Sequence, residues 1–283
     1  MFAPEEYALL DFGKGRKLER FGPFLLDRPS PAAEDESPQQ PDLWKSADGR
    51  FKRTKRDEGQ WRFTADPPDS WCIQHEKTTF TLKPTPFGHV GVFPEQAANW
   101  DWIARKVARA DRPLKVLNLF AYTGGSTLAA AAAGAEVTHV DASKAAVSWA
   151  RTNAEASGLA DAPIRWIVED APRFVARELK RGRDYDAIIL DPPSYGHGPK
   201  GEVWRLDDQL GSLLADCVEL MQDDRRFLVL TCHSPGYDAP ELEATLTDAL
   251  FGRCGQGVQA KPLTLRTIEG RSLDGGVVAR WGR

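Results

Sequence analysis

The segment Leu114–Asp141, LKVLNLFAYTGGSTLAAAAAGAEVTHVD, limits what this chain can fold into more than any other stretch. Leu114 to Phe120 is a short apolar run, as a strand covered on both faces requires. Gly124 and Gly125 follow, and without Cβ atoms they allow a tight turn and a close approach of backbone to a ligand. Ser126 to Ala133 is built of strong helix formers, and Gly134 is a natural stop. A second strand then ends at Asp141, where a carboxylate can take both hydroxyls of a ribose. Strand, glycine turn, helix, strand and terminal acid read as a nucleotide-binding βαβ unit.

The kind of nucleotide follows from the turn. The glycines are adjacent and preceded by Ala121-Tyr122-Thr123, with no third glycine in the G-x-G-x-x-G register. That register bares a helix N-terminus for a pyrophosphate. The turn here suits a ligand with a ribose and no pyrophosphate, and S-adenosylmethionine is the candidate. The alternative is a nucleotide-free α/β core with a glycine turn.

Two further acids close strands. Ile164–Val168 is an apolar run ending at Glu169-Asp170, and Tyr185–Leu190 is another, ending at Asp191-Pro192-Pro193-Ser194-Tyr195. In an open α/β sheet the ligand sits outside the carboxyl ends of the strands. Asp170 is expected to reach the adenine amino group and Asp191 to face the methyl acceptor. Each acid alone could be a helix N-cap; three of them with the glycine turn read as a site.

The order NLFAYTGG, VTHVDASKAAVSWARTN, VEDAPRF, DAIILDPPSYG and FLVLTCHS resembles the class I S-adenosylmethionine-dependent methyltransferases. More narrowly it is similar to the large-subunit ribosomal RNA methyltransferases that make 5-methylcytosine and to the related 7-methylguanine domain. The resemblance covers about Val92 to Ser234. It implies an α/β fold, with a Rossmann-like seven-stranded methyltransferase domain whose last strand runs antiparallel. A smaller β-rich domain precedes it, the expected division being 1–91 and 92–283. It implies S-adenosylmethionine over the first two strands of that sheet, with Phe93, Gln96, Phe120, Tyr122, Gly124, Asp141, Asp170 and Asp191 as cofactor contacts. Phe93 and Gln96 enter through an F-x-x-Q segment near the methionine end, whereas Trp100 in the same helix is read as core. The cytosine-modifying relatives often carry an RNA-binding module ahead of the catalytic domain, and none is evident here.

On the acceptor side, Pro192 and Pro193 fix φ and restrict the residue before them, which holds Asp191 ready for a base flipped into the pocket. N-methylating relatives place an aromatic ring directly after the prolines. Here Ser194 stands there and Tyr195 comes one later, which weakens amino-group methylation. Pro192, Pro193 and Tyr195 are the expected substrate contacts. By resemblance, Cys232 at the end of the strand Phe227–Leu230 is the thiolate that adds to carbon 6 of a pyrimidine, and Asp191 the acid assisting at ring nitrogen 3. A small buried packing residue is the other reading of Cys232. His233, on the next strand position, is expected to face away from it. His197 is assigned to a mobile loop, and Lys200 and Trp204 either hold a phosphate and a base or are solvated. Cys217, on an amphipathic helix, is read as packing.

Before Val92 the chain lacks helical periodicity. Tyr7–Phe12, Leu18–Phe21 and Phe24–Asp27, separated by Gly13-Lys14-Gly15 and Gly22-Pro23, read as a β meander. Pro29–Pro41 reads as a polar loop that need not pack, and Trp71–Leu82 as one long strand or a hairpin. Arg50, Lys52, Arg53, Lys55 and Arg56 are either a phosphate-binding surface beside Phe51 and Trp61 or a solvated hairpin turning at Asp57-Glu58-Gly59.

A formal net charge of −4 argues against coating nucleic acid by bulk charge. No apolar run reaches the length of about 20 residues that a membrane span needs, and the N-terminus MFAPEEYALL lacks a signal-peptide pattern. Cys72, Cys217, Cys232 and Cys254 lack the spacing of a metal site or disulfide framework, so no metal is expected and a reducing cytoplasm fits. The expected activity is methyl transfer from S-adenosylmethionine to a base in RNA, ribosomal RNA first and cytosine carbon 5 within it. The alternatives are a methyltransferase for a small molecule or protein side chain, and a cofactor-binding RNA assembly factor without transfer.

Overall fold

The computed structural model describes residues 1–54, 58–221, 225–234, 236–252 and 257–282; Lys55, Arg56 and Asp57 of the basic cluster and its turn, and Cys254, lie outside them. The chain divides into two compact units, Met1–Ala98 with Thr264–Gly275, and Asn99–Leu263 with Gly276–Arg283. The division falls at 98/99 where the sequence suggests 91/92, and the first unit also takes in 264–275. The physical reason is that Thr267 bridges to Leu9, and Arg271 Nη1 lies 2.8 Å from the buried carboxylate of Asp11.

In the first unit β1 (Tyr7–Gly13), β2 (Arg16–Phe21) and β3 (Phe24–Pro29) form the expected meander. β4 (Gly49–Arg53) joins β3 in parallel, β5 (Gly59–Phe63) pairs antiparallel with β4, and the sheet order is β1-β2-β3-β4-β5. Trp71–Leu82 resolves into a hairpin, β6 (Trp71–His75) and β7 (Thr78–Leu82), turning at Glu76 with φ 50°. Leu9, Phe12, Leu18, Phe21, Leu26 and Phe51 are buried in this unit. The stretch Pro29–Pro41 departs from the expectation of an unpacked loop. Asp11 accepts from the backbone N–H groups of Gln39 (3.1 Å) and Gln40 (2.9 Å) and, beyond the loop, from the Trp44 indole (2.8 Å). A buried carboxylate needs compensating donors, and the polar loop supplies two. Burial alone would push the Asp11 pKa up; the bonds from Trp44, Gln40, Gln39 and Phe12 outweigh it and hold it below the ordinary value.

α1 (Ala97–Ala108) begins after a single 3-10 turn at Pro94–Gln96 and carries the chain from the first unit into the second. Then come β8 (Lys115–Leu119), α2 (Gly125–Ala132), β9 (Glu136–Asp141), α3 (Lys144–Ala156), β10 (Ile164–Val168) and α4 (Ala171–Lys180). β11 (Ala187–Leu190) is followed by a small hairpin of β12 (Tyr195–His197) and β13 (Val203–Arg205), then α5 (Leu206–Leu220) and β14 (Phe227–Cys232). α6 (Ala239–Leu250), β15 (Gln259–Arg266) and β16 (Ser272–Gly282) follow, with 264–275 of the last two strands and their connection counted in the first unit. The seven strands lie in the order β10-β9-β8-β11-β14-β16-β15. β8, β9, β10, β11 and β14 run parallel, and β16 pairs antiparallel with β14. This is the expected Rossmann-like sheet. Successive residues of a central strand serve opposite faces: Leu117 and Ile188 join one core cluster, Val116 and Ile189 the other. The strand order reverses at β8, with β9 on one side and β11 on the other, so a ligand crevice opens at the carboxyl ends of these strands.

Candidate functional site

The turn between β8 and α2 is strained and firmly held. Phe120 (φ 54°), Tyr122 (φ 47°) and Gly124 (φ 93°) all adopt left-handed backbone. For the two residues with side chains this costs on the order of 1–3 kcal/mol each. Ala121 N–H donates to Val140 O (3.1 Å), Gly124 N–H to Ala121 O (2.9 Å), and the Asn153 amide to Thr123 O (2.9 Å). Tyr122 N–H donates to Asp141 Oδ2 and Ser143 N–H to Asp141 Oδ1, both at 2.8 Å. Asp141 therefore ties the turn to the end of β9 and spends one lone pair of each oxygen on backbone. Burial raises its pKa above the ordinary aspartate value, against those two bonds.

The two glycines have different reasons. Gly124 supplies the positive φ. Gly125 is needed for packing, because a Cβ there would lie 2.5 Å from the Trp100 ring. Close approach to a ligand is therefore not what requires Gly125. Trp100 itself is buried, as expected of a core residue. Beneath the turn runs a polar chain that sequence reasoning missed. Asn118 Nδ2 donates to Thr127 Oγ1 (2.9 Å), which lies 2.9 Å from His139 Nδ1. Desolvation pushes the His139 pKa down to about 3, so the ring is neutral at physiological pH. The available signal was polar residues inside otherwise apolar strands.

Asp170 follows β10 and caps α4, accepting from Arg173 N–H at 3.1 Å. Burial, then neighbouring Glu202 and Glu169, raise its pKa. Glu169 is occupied by Arg173 (3.7 Å) and Arg177. The β12–β13 hairpin folds onto this corner through Arg173 Nη1–Glu202 Oε1 (2.8 Å), and Gly198 lets it pass, since a Cβ there would lie 3.1 Å from that of Asp170.

The acceptor edge is built differently. Asp191 follows β11 with a side chain 34% exposed; its Oδ1 accepts from Thr231 Oγ1 and lies 3.3 Å from His233 Nε2. Pro193 O accepts from the Trp204 indole (2.7 Å), Ser194 O from Leu206 N–H (3.1 Å), and the Ser194 and Ser234 hydroxyls meet at 2.5 Å. Tyr195 is exposed, with its hydroxyl 3.2 Å from His197 Nε2. Trp204 is neither solvated nor free to hold a base: it is buried, with its ring 5.0 Å from that of Phe120.

Cys232 is the last residue of β14, in register with Val277, and only 1% exposed. Burial raises its thiol pKa; bonds from Ser234 lower it, and the charges of Asp191 and Asp207 raise it again. Cys217 is wholly buried, and burial pushes its thiol far up. Phe93 and Gln96 belong to the first unit, where Gln96 is buried and Phe93 lines a cavity beside His89. Among the described residues no group of acids, histidines and cysteines could hold a metal ion, and no helix is long and apolar enough to cross a membrane.

Phe120, Tyr122, Gly124, Asp141, Asp170 and Asp191 thus all stand at or just beyond the carboxyl ends of β8 to β11. A carboxylate pair at Asp141 and Asp170 would repel a pyrophosphate, and it suits ribose hydroxyls and an exocyclic amine. These acceptors therefore fit the ribose and adenine of S-adenosylmethionine.

Residues 40–229 match the family model of the S-adenosylmethionine-dependent methyltransferases. A solved S-adenosylmethionine-dependent methyltransferase from Agrobacterium tumefaciens superposes with a TM-score of 0.93 at 42% identity, covering 98% of this chain and 90% of that one. Ribosomal RNA large subunit methyltransferase K of Neisseria meningitidis serogroup B is 27% identical over 179 residues, 62% of this chain and 49% of that protein. Ribosomal RNA large subunit methyltransferase I of Aeromonas salmonicida is 36% identical over 110 residues, 38% of this chain and 27% of that protein. The chain thus spans about half or less of these curated relatives.

Proposed function

We propose, for a chain that belongs to the S-adenosylmethionine-dependent methyltransferase family, that the methyl acceptor is a base in RNA. The observation that carries this reading is the acceptor edge. A half-exposed carboxylate, Asp191, is followed by two prolines and an exposed ring, Tyr195, at the end of β11. Such an edge suits a flat heterocycle taken out of its stack, hydrogen-bonded by Asp191 and covered by Tyr195. The names of the relatives, ribosomal RNA large subunit methyltransferases, support RNA over a small molecule or protein side chain.

The bound cofactor supplies an electrophilic methyl group on a sulfonium. Asp141 would hold the ribose hydroxyls, Asp170 the adenine amine, and the turn from Phe120 to Gly124 would shape the pocket wall. Thr231 and His233 orient Asp191, and Trp204 fixes the carbonyl of Pro193.

Cytosine carbon 5 is the finer form of the proposal. It gives Cys232 the role of adding as thiolate to carbon 6, which makes carbon 5 the nucleophile toward the methyl group. A base then removes the carbon-5 proton as the carbon 6–sulfur bond breaks and frees the thiolate, and Asp191 is the acid at ring nitrogen 3. Bonds from Ser234 to the sulfur support that role; the burial of Cys232 and its raised thiol pKa support packing. Nucleoside mass spectrometry of RNA from a deletion strain separates these readings. Loss of 5-methylcytidine supports the finer form, and Cys232→Ser should then abolish activity while cofactor binding persists. Loss of another methylated base returns Cys232 to packing. An unchanged RNA nucleoside profile would overturn RNA as acceptor.

A further inference from the structure

The β-rich unit gathers three cations around a cavity of about 100 Å³, lined by Lys17, Arg28, Arg53, Phe87, His89 and Glu95 among others. Lys17 and Arg28 stand directly opposite each other across β2 and β3, a placement of like charges that is destabilising without a counter-charge. The buried carboxylate of Glu19 supplies part of it, 3.1 Å from Lys17 Nζ and 2.7 Å from Arg28 Nη2. Arg53 adds a third, exposed cation from the end of β4. With Glu95 counted as well, the cations outnumber the carboxylates by one. The cavity is far below the roughly 300–1,000 Å³ that encloses a whole small molecule. It suits a single phosphate group.

Beside the cavity a rigid turn holds an aromatic ring in water. Phe87 is 55% exposed. Its turn is closed by Gly88 N–H to Thr85 O (3.1 Å) and Thr85 N–H to His89 O (3.0 Å). It is pinned to β5 by Gly59 N–H to Pro86 O and by the Trp61 indole to Thr85 O, both at 2.8 Å. Gly88 has φ +83° and lies so close to Phe51 that a Cβ would come within 2.9 Å of that ring. A pre-set exposed ring next to surplus positive charge is the combination that single-stranded nucleic acid uses, with bases stacking on aromatics and phosphates on cations.

We propose that this cavity and Phe87 form a nucleotide subsite for single-stranded RNA, the cations taking a backbone phosphate and Phe87 stacking on the adjoining base. The inference rests on RNA as acceptor and adds where the strand is held. His89 offers an internal reporter. Burial, then Arg28, Lys17 and Arg53, hold its imidazole below the ordinary value. The push from the cations is the part that a bound anion relieves.

The test uses the full chain and a labelled single-stranded oligoribonucleotide, read by fluorescence anisotropy across salt concentrations. Phe87→Ala should weaken binding about tenfold at every salt concentration. Arg53→Gln should flatten the logarithmic salt slope by about 0.7. Both variants should keep wild-type affinity for S-adenosylhomocysteine, and the His89 titration seen by NMR should move up when RNA binds. Wild-type RNA affinity and slope in both variants would overturn the subsite and leave RNA as acceptor standing. An effect of Arg53→Gln alone, reproduced with inorganic phosphate as competitor, would overturn the nucleotide assignment in favour of a plain anion site. No RNA affinity in the wild type would overturn the subsite, and an unchanged nucleoside profile in a deletion strain would then overturn RNA as acceptor independently.

Discussion

The turn at Asp141 and the edge at Asp191 stand at the ends of strands in one sheet, yet they are held by different means. Asp141 is locked by two backbone N–H groups and closes a turn with two strained non-glycine residues. Asp191 is held by side chains, Thr231 and His233, and the chain after it by the Trp204 indole and a serine pair. Backbone bonds survive most substitutions, whereas side-chain partners change with one. The first arrangement suits a part whose ligand does not vary. The second suits a part whose acceptor could change while the fold stays intact. The proposed functions follow that split, with cofactor at the locked end and acceptor at the adjustable one.

The largest expected effect breaks the locked end. Asp141→Ala removes the acceptor of two backbone donors and the proposed ribose partner. S-adenosylhomocysteine affinity should fall by about 1.5–3 kcal/mol, on the order of 10- to 150-fold by calorimetry. Binding needs the ionised carboxylate, and burial holds its pKa above the ordinary value. Affinity should therefore be level near neutral pH and decline on acidification, starting above the pH at which a solvated aspartate protonates. Asp141→Asn should remove that inflection.

Gly125→Ala comes next and separates the two glycines. The added methyl meets the Trp100 ring, so stability should fall by about 1–3 kcal/mol in urea unfolding. An unchanged midpoint would mean that packing does not explain Gly125. The smallest effect lies at the adjustable end. Trp204→Phe keeps a ring against Phe120 and drops only the bond to Pro193 O. It should cost about 1 kcal/mol, raise KM for RNA and leave cofactor affinity alone. A loss of cofactor affinity would show that the two ends are coupled through this ring.

The strand-end positions of the candidate site were legible because strand ends in a parallel sheet are marked twice, by where an apolar run stops and by which residue follows. That is why Asp141, Asp170 and Asp191 could be read from the chain. The roles of neighbours were not, since they depend on contacts between distant segments. Trp204 looked like a loop aromatic and is buried against Phe120, 84 positions earlier in the numbering. Pro29–Pro41 looked like idle loop because its composition does not reveal the Asp11 carboxylate it must satisfy. The left-handed backbone at Phe120 and Tyr122 had no signal at all, because residues with side chains adopt it only when the surroundings compel them. Hairpin and meander punctuation, by contrast, carried the β-rich unit well.

The division between the two ends is tested most directly by measuring Asp191→Asn in two ways: S-adenosylhomocysteine affinity by calorimetry, and methyl transfer to RNA from labelled S-adenosylmethionine. The account predicts cofactor affinity within about twofold of wild type and turnover lower by about a hundredfold or more, as loss of an acid or base at the acceptor requires. Cofactor affinity lost as in Asp141→Ala, with turnover retained at saturating cofactor, would contradict it.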